Sequence, residues 1–356
     1  MKFSDSLLDL KKIRMDLHEL AELGLCEFET KEYILNVLKK YSCKIYEIDP
    51  TALFVYFDFG KDSSICIRSD MDAIAVKEEN DESYKSKRDG ISHACGHDGH
   101  MAILLGLIDY VSGLSDYKYN VVCLFQPAEE LALGAKLILK SNLVKKLKIK
   151  YFFGMHLWPN LEFGIPYIIA HEAFSYAVEF DVIIKGLGGH CANRSETNDP
   201  INTLRIFLNE VDKLDTSINE KHLLHIGKIE AGSTRNVIAS KIEIKGTLRA
   251  PNFLVFEHMK KAFSSIKLKN MDIIFKDTIN GVYNDPLLLS KMDFLKTMNE
   301  PLLQTEDFGL YSSFYPSLYI LLGIGKTNDL HSSYFDFDMN VLDIGLNVYK
   351  KLLNHL

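Results

Sequence analysis

Histidine, cysteine and carboxylate side chains gather in a few short segments of this 356-residue sequence. The segment HACGHDGH contains Cys95 and His97, Glu129 and Glu130 follow the run YNVVCLF, and His156 lies in the run YFFGMHL. Thiolate, imidazole and carboxylate are the donors that borderline and transition-metal divalent ions prefer. The segments therefore predict a metal site. A structural zinc finger fits poorly, because the sequence has no CxxC pair.

Simpler structural interpretations exist for the same residues. A single histidine such as His97 is more often a hydrogen-bonded core or surface residue than a ligand. Glu129 and Glu130 come shortly after Pro127, where acidic residues also suit the start of a helix. Both interpretations can hold together, with one glutamate facing a metal ion and the other a water molecule.

Apolar strands are the elements expected to position these side chains. The run SSICIRS leads into Asp70 and Asp72, YNVVCLF leads into Glu129 and Glu130, and YFFGMHL carries His156 near its end. The carboxyl ends of strands in an open α/β sheet line the ligand crevice. Several separate segments therefore deliver metal-type ligands to one edge of a sheet.

The pattern of helices and strands changes twice along the chain. Residues 1–173 alternate helical stretches with short apolar runs, which predicts an α/β catalytic domain with a mostly parallel central sheet flanked by helices. Residues 174–282 show the order βαββαβ, with a helix expected from Phe256 to Ile266, and predict an inserted ferredoxin-like domain. Residues 283–356 return to helices and the apolar strand SLYILLGIG, and are expected to complete the first domain.

The net charge and composition indicate which class of binding partner the protein has. A net charge of -7, without an extended basic cluster, gives no electrostatic footprint for nucleic acid or an anionic membrane and favours a small-molecule substrate. The first twenty residues carry charges throughout and have apolar residues at helical spacing. They predict an amphipathic helix rather than a signal peptide, and hence a cytoplasmic protein without a membrane span.

Eight motifs in order resemble one known family. The sequence is similar to the branch of aminoacylases, hippurate hydrolases and N-acetyldiaminopimelate deacetylases within the aminoacylase/carboxypeptidase metallopeptidases, and the similarity spans nearly the whole chain. The motifs that carry it are RSDMDA (68–73), HACGHDGH (93–100), FQPAEE (125–130), GMHLWP (154–159), GGHCA (188–192), GSTRNVIA (232–239), TEDFG (305–309) and LHSSYFDFD (330–338).

The resemblance implies a metal centre with defined ligands. Cys95 would bridge two divalent ions, which could be zinc, manganese, cobalt or nickel, and the remaining ligands would be His97, Glu130, His156 and His331.

The resemblance also implies roles for five further residues. Glu129 would be the general base, and Asp70 would orient and polarise a ligand. His190 would stabilise the oxyanion, and Asn236 and Arg249 would bind substrate. The inserted domain would act as a lid and would form a homodimer.

The predicted function is hydrolysis of the amide bond of N-acyl amino acids. The narrowest expectation is removal of acetate from N-acetyl-L,L-diaminopimelate in lysine biosynthesis, and the alternative is an aminoacylase, hippurate hydrolase or dipeptidase of broader specificity. Two other hypotheses stay open at this stage. One is thiol catalysis by Cys95 with His97 or His93 as base, and the other is a non-catalytic protein that binds a metal or ligand.

Overall fold

The computed structural model describes residues 8–192 and 199–356. Up to residue 169 the chain forms α1 (Leu10–Leu20), α2 (Phe28–Leu38), β1 (Lys44–Ile48), β2 (Ala52–Phe57), β3 (Ser64–Asp70), α3 (His97–Ser112), β4 (Asn120–Gln126), α4 (Gly134–Lys140), α5 (Leu143–Lys146), β5 (Ile149–Trp158) and β6 (Pro166–Ile169).

The middle of the chain, as far as it is described, continues with β7 (His171–Glu172), β8 (Tyr176–Lys185), β9 (Gly189–His190), α6 (Pro200–Ser217), β10 (Leu223–Ala231), β11 (Val237–Ile238), β12 (Lys241–Ala250), α7 (Phe253–Ser264) and β13 (Met271–Ile279). The last part forms β14 (Tyr283–Asn284), α8 (Pro286–Leu289), β15 (Lys296–Met298), α9 (Gly309–Ser312), β16 (Ser317–Gly323) and α10 (Val341–His355).

These elements form two compact units. The first contains the chain up to His171 together with Tyr283–Glu300 and Asp307–Leu356, and the second contains Glu172–Val282 and Pro301–Glu306.

A mixed sheet runs through the first unit in the order β1-β2-β4-β3-β5-β16-β6-β15. Its four central strands, β4, β3, β5 and β16, are parallel. The antiparallel strands β1 and β2 extend one edge, and β6 pairs antiparallel with β16 at the other. The mostly parallel arrangement expected from the sequence therefore describes the centre of the sheet, and the fold class is mixed α/β.

Helix α3 is the core helix of the first unit. Met101 to Ile108 are all buried, because helix α3 packs against α1 and α10 as well as strand β3. A helix that is apolar on all sides must be buried on all sides. This burial fixes the first turn of α3, and with it the position of His97.

The second unit has a four-stranded antiparallel sheet in the order β10-β12-β8-β13. Helices α6 and α7 bury Phe207, Phe256 and Phe263 in a core with residues from this sheet. Helix α7 begins at Phe253, three residues before the start expected from the sequence, because the Asn252 side chain accepts hydrogen bonds from the first-turn N–H groups.

Within the residues that the structure describes, no helix has both the length and the apolar character needed to cross a membrane.

Candidate metal centre

The carboxyl ends of the central strands bring the predicted donors to one edge of the first unit. Asp70 is the last residue of β3 and lies opposite Gln126, the last residue of β4. His156 lies near the end of β5, opposite Leu321 of β16. The strands are parallel and in register here, so residues far apart in sequence end at one place.

A tight turn presents Cys95 and His97. Gly96, which precedes helix α3, has φ of 82°, a left-handed conformation that glycine adopts without strain. Cys95 is 6% exposed and His97 is 1% exposed. His331 comes from the loop after β16, where its N–H group donates a hydrogen bond to the carbonyl of Ala94 at 2.8 Å. This bond ties the His331 loop to the segment that carries Cys95.

Two groups of potential metal ligands share the thiol of Cys95. In each group the ligand atoms lie within 4.8 Å of one another, and the groups are Cys95, His97 and His156, and Cys95, Glu130 and His331. All five residues expected to hold metal ions are therefore brought together. Their arrangement as two groups with a common sulfur matches a centre for two ions.

The ring of His97 is oriented by the backbone. Its Nδ1 donates a hydrogen bond to the carbonyl of Asp72 at 2.8 Å, so the neutral ring carries its proton there. Nε2 of His97 is buried, and no described residue forms a hydrogen bond with it. A buried lone pair of this kind needs a partner, and a metal ion would provide one.

His156 is oriented in the same way. Its Nδ1 donates to the carbonyl of Leu157 at 2.8 Å, which leaves the lone pair of Nε2 directed toward Cys95, whose Sγ lies 3.5 Å away. Burial, and after it the nearby His100, hold the pKa of His156 well below its usual value. A neutral imidazole is the form that binds a metal ion.

Glu130 and His331 complete the second group. Oε1 of Glu130 lies 3.2 Å from Nε2 of His331, but without the alignment of a hydrogen bond, and it has no hydrogen-bond partner among the described residues. The orphaned atoms of the cluster are Oε1 of Glu130, an acceptor, and Nε2 of His97, an acceptor when its ring is neutral. A bound cation would satisfy both.

The electrostatics of the cluster favour positive charge. Burial lowers the pKa of His97, but the carboxylates of Asp70 and Asp72 outweigh burial and raise the pKa to about 10. Without an ion, Nε2 of His97 therefore carries a proton at neutral pH, and a bound metal ion would take the place of that proton. Burial and the carboxylates of Glu130 and Glu129 raise the pKa of the Cys95 thiol well above its usual value. A thiolate at this position needs a compensating positive charge, which divalent ions bound to the cluster would supply.

Two further observations bear on thiol catalysis. A nucleophilic cysteine requires a lowered pKa or an adjacent base, whereas the pKa of Cys95 is raised. His93 is buried, and burial lowers its pKa to about 3, so its ring is a weak base. The local chemistry therefore suits Cys95 as a metal ligand better than as a nucleophile.

Glu129 and Asp70 lie beside the ligand groups. A carboxylate oxygen of Glu129 can approach the ligand atoms of His97 and Glu130 within 4.8 Å, and its Oε1 accepts a hydrogen bond from the N–H of Asp307 at 3.4 Å. Oδ2 of Asp70 lies 3.8 Å from Nε2 of His97. Burial raises the pKa of Asp70, but the neighbouring cationic groups outweigh burial and hold it well below its usual value.

The second unit carries His190, Asn236 and Arg249. His190 in β9 pairs with Val237 in β11, which places it beside Asn236, and both residues are exposed. The N–H of Ala192 donates to Nδ1 of His190 at 3.2 Å, so the neutral ring has its proton on Nε2. Arg249 lies in β12 and is half-buried, and its Nη1 donates to the carbonyl of Leu303 at 3.4 Å.

The structure also shows supporting residues that were not predicted as part of the site. Asp70 accepts hydrogen bonds from Nδ1 of His100 at 2.6 Å and from Nη1 of Arg68 at 2.7 Å. The N–H of Leu157 donates to Nε2 of His100, and Nη2 of Arg68 donates to Asp307. The sequence contained two signals of this network: an arginine inside an apolar strand, and histidines three residues apart at the start of a helix.

Comparisons with known proteins agree with this geometry. Residues 66–355 match the model of peptidase family M20/M25/M40. An uncharacterised hydrolase from Staphylococcus haemolyticus is 32% identical, and the alignment covers 97% of each chain.

Two solved structures share the fold. An M20 peptidase from Bacillus subtilis, the YXEP protein, is reported as a dinuclear metal-binding protein. It superposes with a TM-score of 0.82 at 25% identity, covering 97% of this chain and 96% of its own. A protein from methicillin-resistant Staphylococcus aureus superposes with a TM-score of 0.87 at 24% identity, covering 96% of this chain and 95% of its own.

The family match covers most of the chain, and the described residues include two adjacent groups of metal-type ligands. The chain therefore belongs to peptidase family M20/M25/M40 and is a hydrolase that acts on amide or peptide bonds.

Proposed function

We propose that the chain is a two-metal amidohydrolase that cleaves the amide bond of N-acyl amino acids. The observation that carries this proposal is the pair of ligand groups sharing Cys95, with the carboxylate of Glu129 beside them. Cys95, His97 and His156 would hold one ion, and Cys95, Glu130 and His331 the other. When bound, the ions would polarise the amide carbonyl and lower the pKa of a water molecule.

Glu129 is assigned as the general base and then the general acid. It takes a proton from the attacking water and passes it to the departing nitrogen, which makes the amine a better leaving group. The hydrogen bond from Asp307 to Oε1 of Glu129 limits rotation of the carboxylate. Asp70 acts beside His97, with Oδ2 3.8 Å from Nε2 of the ring, and Arg68 and His100 keep it ionised and fixed in place.

Residues of the second unit are assigned to substrate binding and to the oxyanion. The proton on Nε2 of His190 makes it a donor suited to stabilising negative charge on the carbonyl oxygen. Asn236 and Arg249 are assigned to the substrate, with the guanidinium of Arg249 paired to its carboxylate. We assign the second unit, with its βαββαβ order, as a ferredoxin-like lid through which two chains form a dimer.

The narrower proposal for the substrate is N-acetyl-L,L-diaminopimelate, which would place the reaction in cytoplasmic lysine biosynthesis. The test is a screen of N-acetyl amino acids, N-benzoyl amino acids and dipeptides with the metal-free full chain, to which zinc, manganese, cobalt or nickel is added separately. We expect hydrolysis of N-acyl amino acids that a chelator abolishes and a divalent metal restores. Hydrolysis that fully resists chelation would contradict the metal mechanism.

Each narrower assignment has its own result in the same screen. A preference for dipeptides over all acylated amino acids, measured as kcat/KM, would show a peptidase instead of a deacylase. If no compound is hydrolysed although the chain binds metal ions, the result would favour the alternative of a non-catalytic binding protein.

A further inference from the structure

Two buried carboxylates bind consecutive N–H groups of the segment that carries the glutamate pair. The N–H of Glu129 donates to Oδ1 of Asp72 at 3.1 Å, and the N–H of Glu130 donates to Oδ2 of the same carboxylate at 3.0 Å. The preceding N–H, of Ala128, donates to Oε1 of Glu27 at 2.9 Å. Asp72 is 1% exposed and Glu27 is fully buried. Three backbone donors in a row are thus held by two side chains.

The backbone of the segment from Ala128 to Gly134 includes an unfavourable conformation and a close approach. Ala128 has φ of 54°, a left-handed conformation that is unfavourable for a residue with a Cβ atom. Gly134 closes the turn, and a Cβ atom there would lie 1.8 Å from the carbonyl oxygen of Pro127. Strained conformations of this kind persist only where surrounding contacts hold them. The carboxylates of Asp72 and Glu27 supply such contacts.

Asp72 also contacts the other half of the metal centre, through its main chain. Its carbonyl oxygen accepts the hydrogen bond from Nδ1 of His97 that directs Nε2 toward the ligand cluster. The hydrogen bonds of the Asp72 side chain therefore hold the segment with Glu130. The 2.8 Å bond to its main-chain carbonyl holds His97. Cys95 belongs to both ligand groups, and Asp72 forms hydrogen bonds with a residue of each group.

We propose that Asp72 is a positioning residue that sets the two halves of the metal centre by separate means. Its carboxylate places Glu130 and the base Glu129, and its carbonyl fixes the ring of His97. The proposal rests on the proposed function, because it assumes that the two ligand groups bind metal ions. It predicts that a side-chain substitution weakens one metal site far more than the other.

Asparagine at position 72 separates the two roles. The two hydrogen-bond partners of the Asp72 carboxylate are backbone N–H groups, which can only donate hydrogen bonds. Its Oδ1 also lies 3.5 Å from Nδ1 of His97, whose shorter hydrogen bond goes to the carbonyl of Asp72. An amide side chain has one acceptor oxygen, so one of the two N–H groups would face an NH2 group and lose its hydrogen bond. The carbonyl that holds His97 is part of the backbone and is unchanged by Asp72→Asn.

Glu27→Gln is the matched control on the same segment. Glu27 accepts from the N–H of Ala128 and from the hydroxyl of Thr51 at 2.6 Å. Glutamine can keep both contacts, since its oxygen can accept from Ala128 while its NH2 group donates to the hydroxyl oxygen. Both variants remove one buried carboxylate, but only Asp72→Asn places a side-chain NH2 donor against a backbone N–H donor.

The experiment is a titration of metal-free full chains with Zn²⁺, with bound metal counted after dialysis at several free concentrations. Wild type and Glu27→Gln are expected to bind two ions per chain. Asp72→Asn is expected to bind one ion nearly as tightly as wild type, because the carbonyl bond to His97 remains. It should bind a second ion about 10- to 100-fold more weakly, the usual loss when a residue supporting a metal ligand is removed. With Co²⁺, Asp72→Asn should keep the thiolate-to-metal absorption band, because Cys95 belongs to both groups.

Three results would contradict either the positioning role of Asp72 or the proposed function on which it rests. Two ions bound to Asp72→Asn with wild-type affinities, or equal weakening of both, would overturn the positioning role. If wild type itself binds no ion, the proposed function fails.

Backbone hydrogen exchange of metal-free wild type tests the same bonds without a substitution. The amides of Glu129 and Glu130 are expected to exchange slowly, and exchange at the rate of an open loop would contradict the role of Asp72.

Discussion

Helix α3 begins between two buried clusters of charged side chains. One, which we term the ion-pair cluster, consists of Arg14, His18, Glu78, Asp98 and Asp336, and the other is the candidate metal centre. In the ion-pair cluster Nε of Arg14 lies 2.7 Å from Oδ2 of Asp98, and Nδ1 of His18 lies 2.7 Å from the same atom. Its charges largely balance one another. The metal centre instead places carboxylates around a buried thiol and leaves acceptor atoms unpaired.

The two clusters also differ in whether their unpaired atoms are hydrogen-bond donors or acceptors. In the ion-pair cluster, Nη1 of Arg14 lacks a hydrogen-bond partner among the described residues, and it is a donor. In the metal centre the corresponding atoms are Oε1 of Glu130, which is an acceptor, and Nε2 of His97, which is an acceptor when the ring is neutral. A cation can satisfy the second set but not the first. The comparison teaches that burial of charge alone does not identify a site, whereas an imbalance that a cation would correct does.

The largest expected effect is on catalysis. Glu129→Gln removes the proton carrier but leaves every proposed metal ligand in place, so kcat should fall by about 100- to 10,000-fold. The measurement is steady-state hydrolysis of the substrate found in the screen. The variant should still bind two metal ions, and unchanged kcat in a metal-loaded variant would show that Glu129 is not the base.

Breaking the ion-pair cluster should lower stability. Arg14→Met leaves the carboxylate of Asp98 buried without its main partner, and loss of one member of a buried pair costs about 3–5 kcal/mol. The free energy of unfolding of the metal-free protein, from urea denaturation, measures this effect. Lys12→Met on the same helix removes an exposed ion pair with Asp16 and should change stability far less. Equal effects of the two variants would contradict the contrast between buried and exposed pairs.

Metal removal should lower stability through the other cluster. Ions that bind only the folded state stabilise it by about 4 kcal/mol when their free concentration is a thousand times the dissociation constant. Urea denaturation of wild type with and without Zn²⁺ should show this difference, and Cys95→Ser should lose most of it because the thiol belongs to both ligand groups. A Zn²⁺ effect of the same size in Cys95→Ser would argue against a shared sulfur.

The smallest effect is a pH dependence that comes from the ion-pair cluster. Burial lowers the pKa of His18, but hydrogen bonds to Asp98 and Glu78 outweigh burial and raise the pKa to about 9. Unfolded histidine titrates near pH 6.5, so His18 contributes its full stabilisation below that pH and loses it as the pH rises to 9. The loss is roughly 3 kcal/mol. Urea denaturation across this range should show the decline, and His18→Gln should flatten it; an unflattened profile would assign the decline to other groups.

The convergence of several candidate metal ligands could be predicted from local patterns in the sequence, whereas the full set of five follows from the resemblance to the family. His97 starts an apolar helix, His156 lies near the end of a strand, and polar residues at the ends of parallel strands converge. The hydrogen-bond partners could not be predicted in this way. Arg68 meets Asp307 across 239 residues and Arg14 meets Asp98 across 84, and neither pairing leaves a periodic signal in the sequence.

The same contrast applies to the fold. The central strands are continuous apolar runs that indicate burial on both faces. The outer strands β1, β6 and β15 are short or partly exposed, and their pairing depends on neighbours that are already in place. The sequence therefore predicted the centre of the sheet, where each strand carries its own signal, better than its edges.

Counting the metal ions bound by the full chain tests the central claim most directly. Metal-free wild type and His331→Ala are titrated with Zn²⁺, dialysed and measured by elemental analysis. Two ions per wild-type chain and one per His331→Ala chain are predicted, because His331 belongs to one ligand group alone. A wild-type chain that retains no ion, or a single one that His331→Ala retains equally well, would contradict a two-ion centre joined by Cys95.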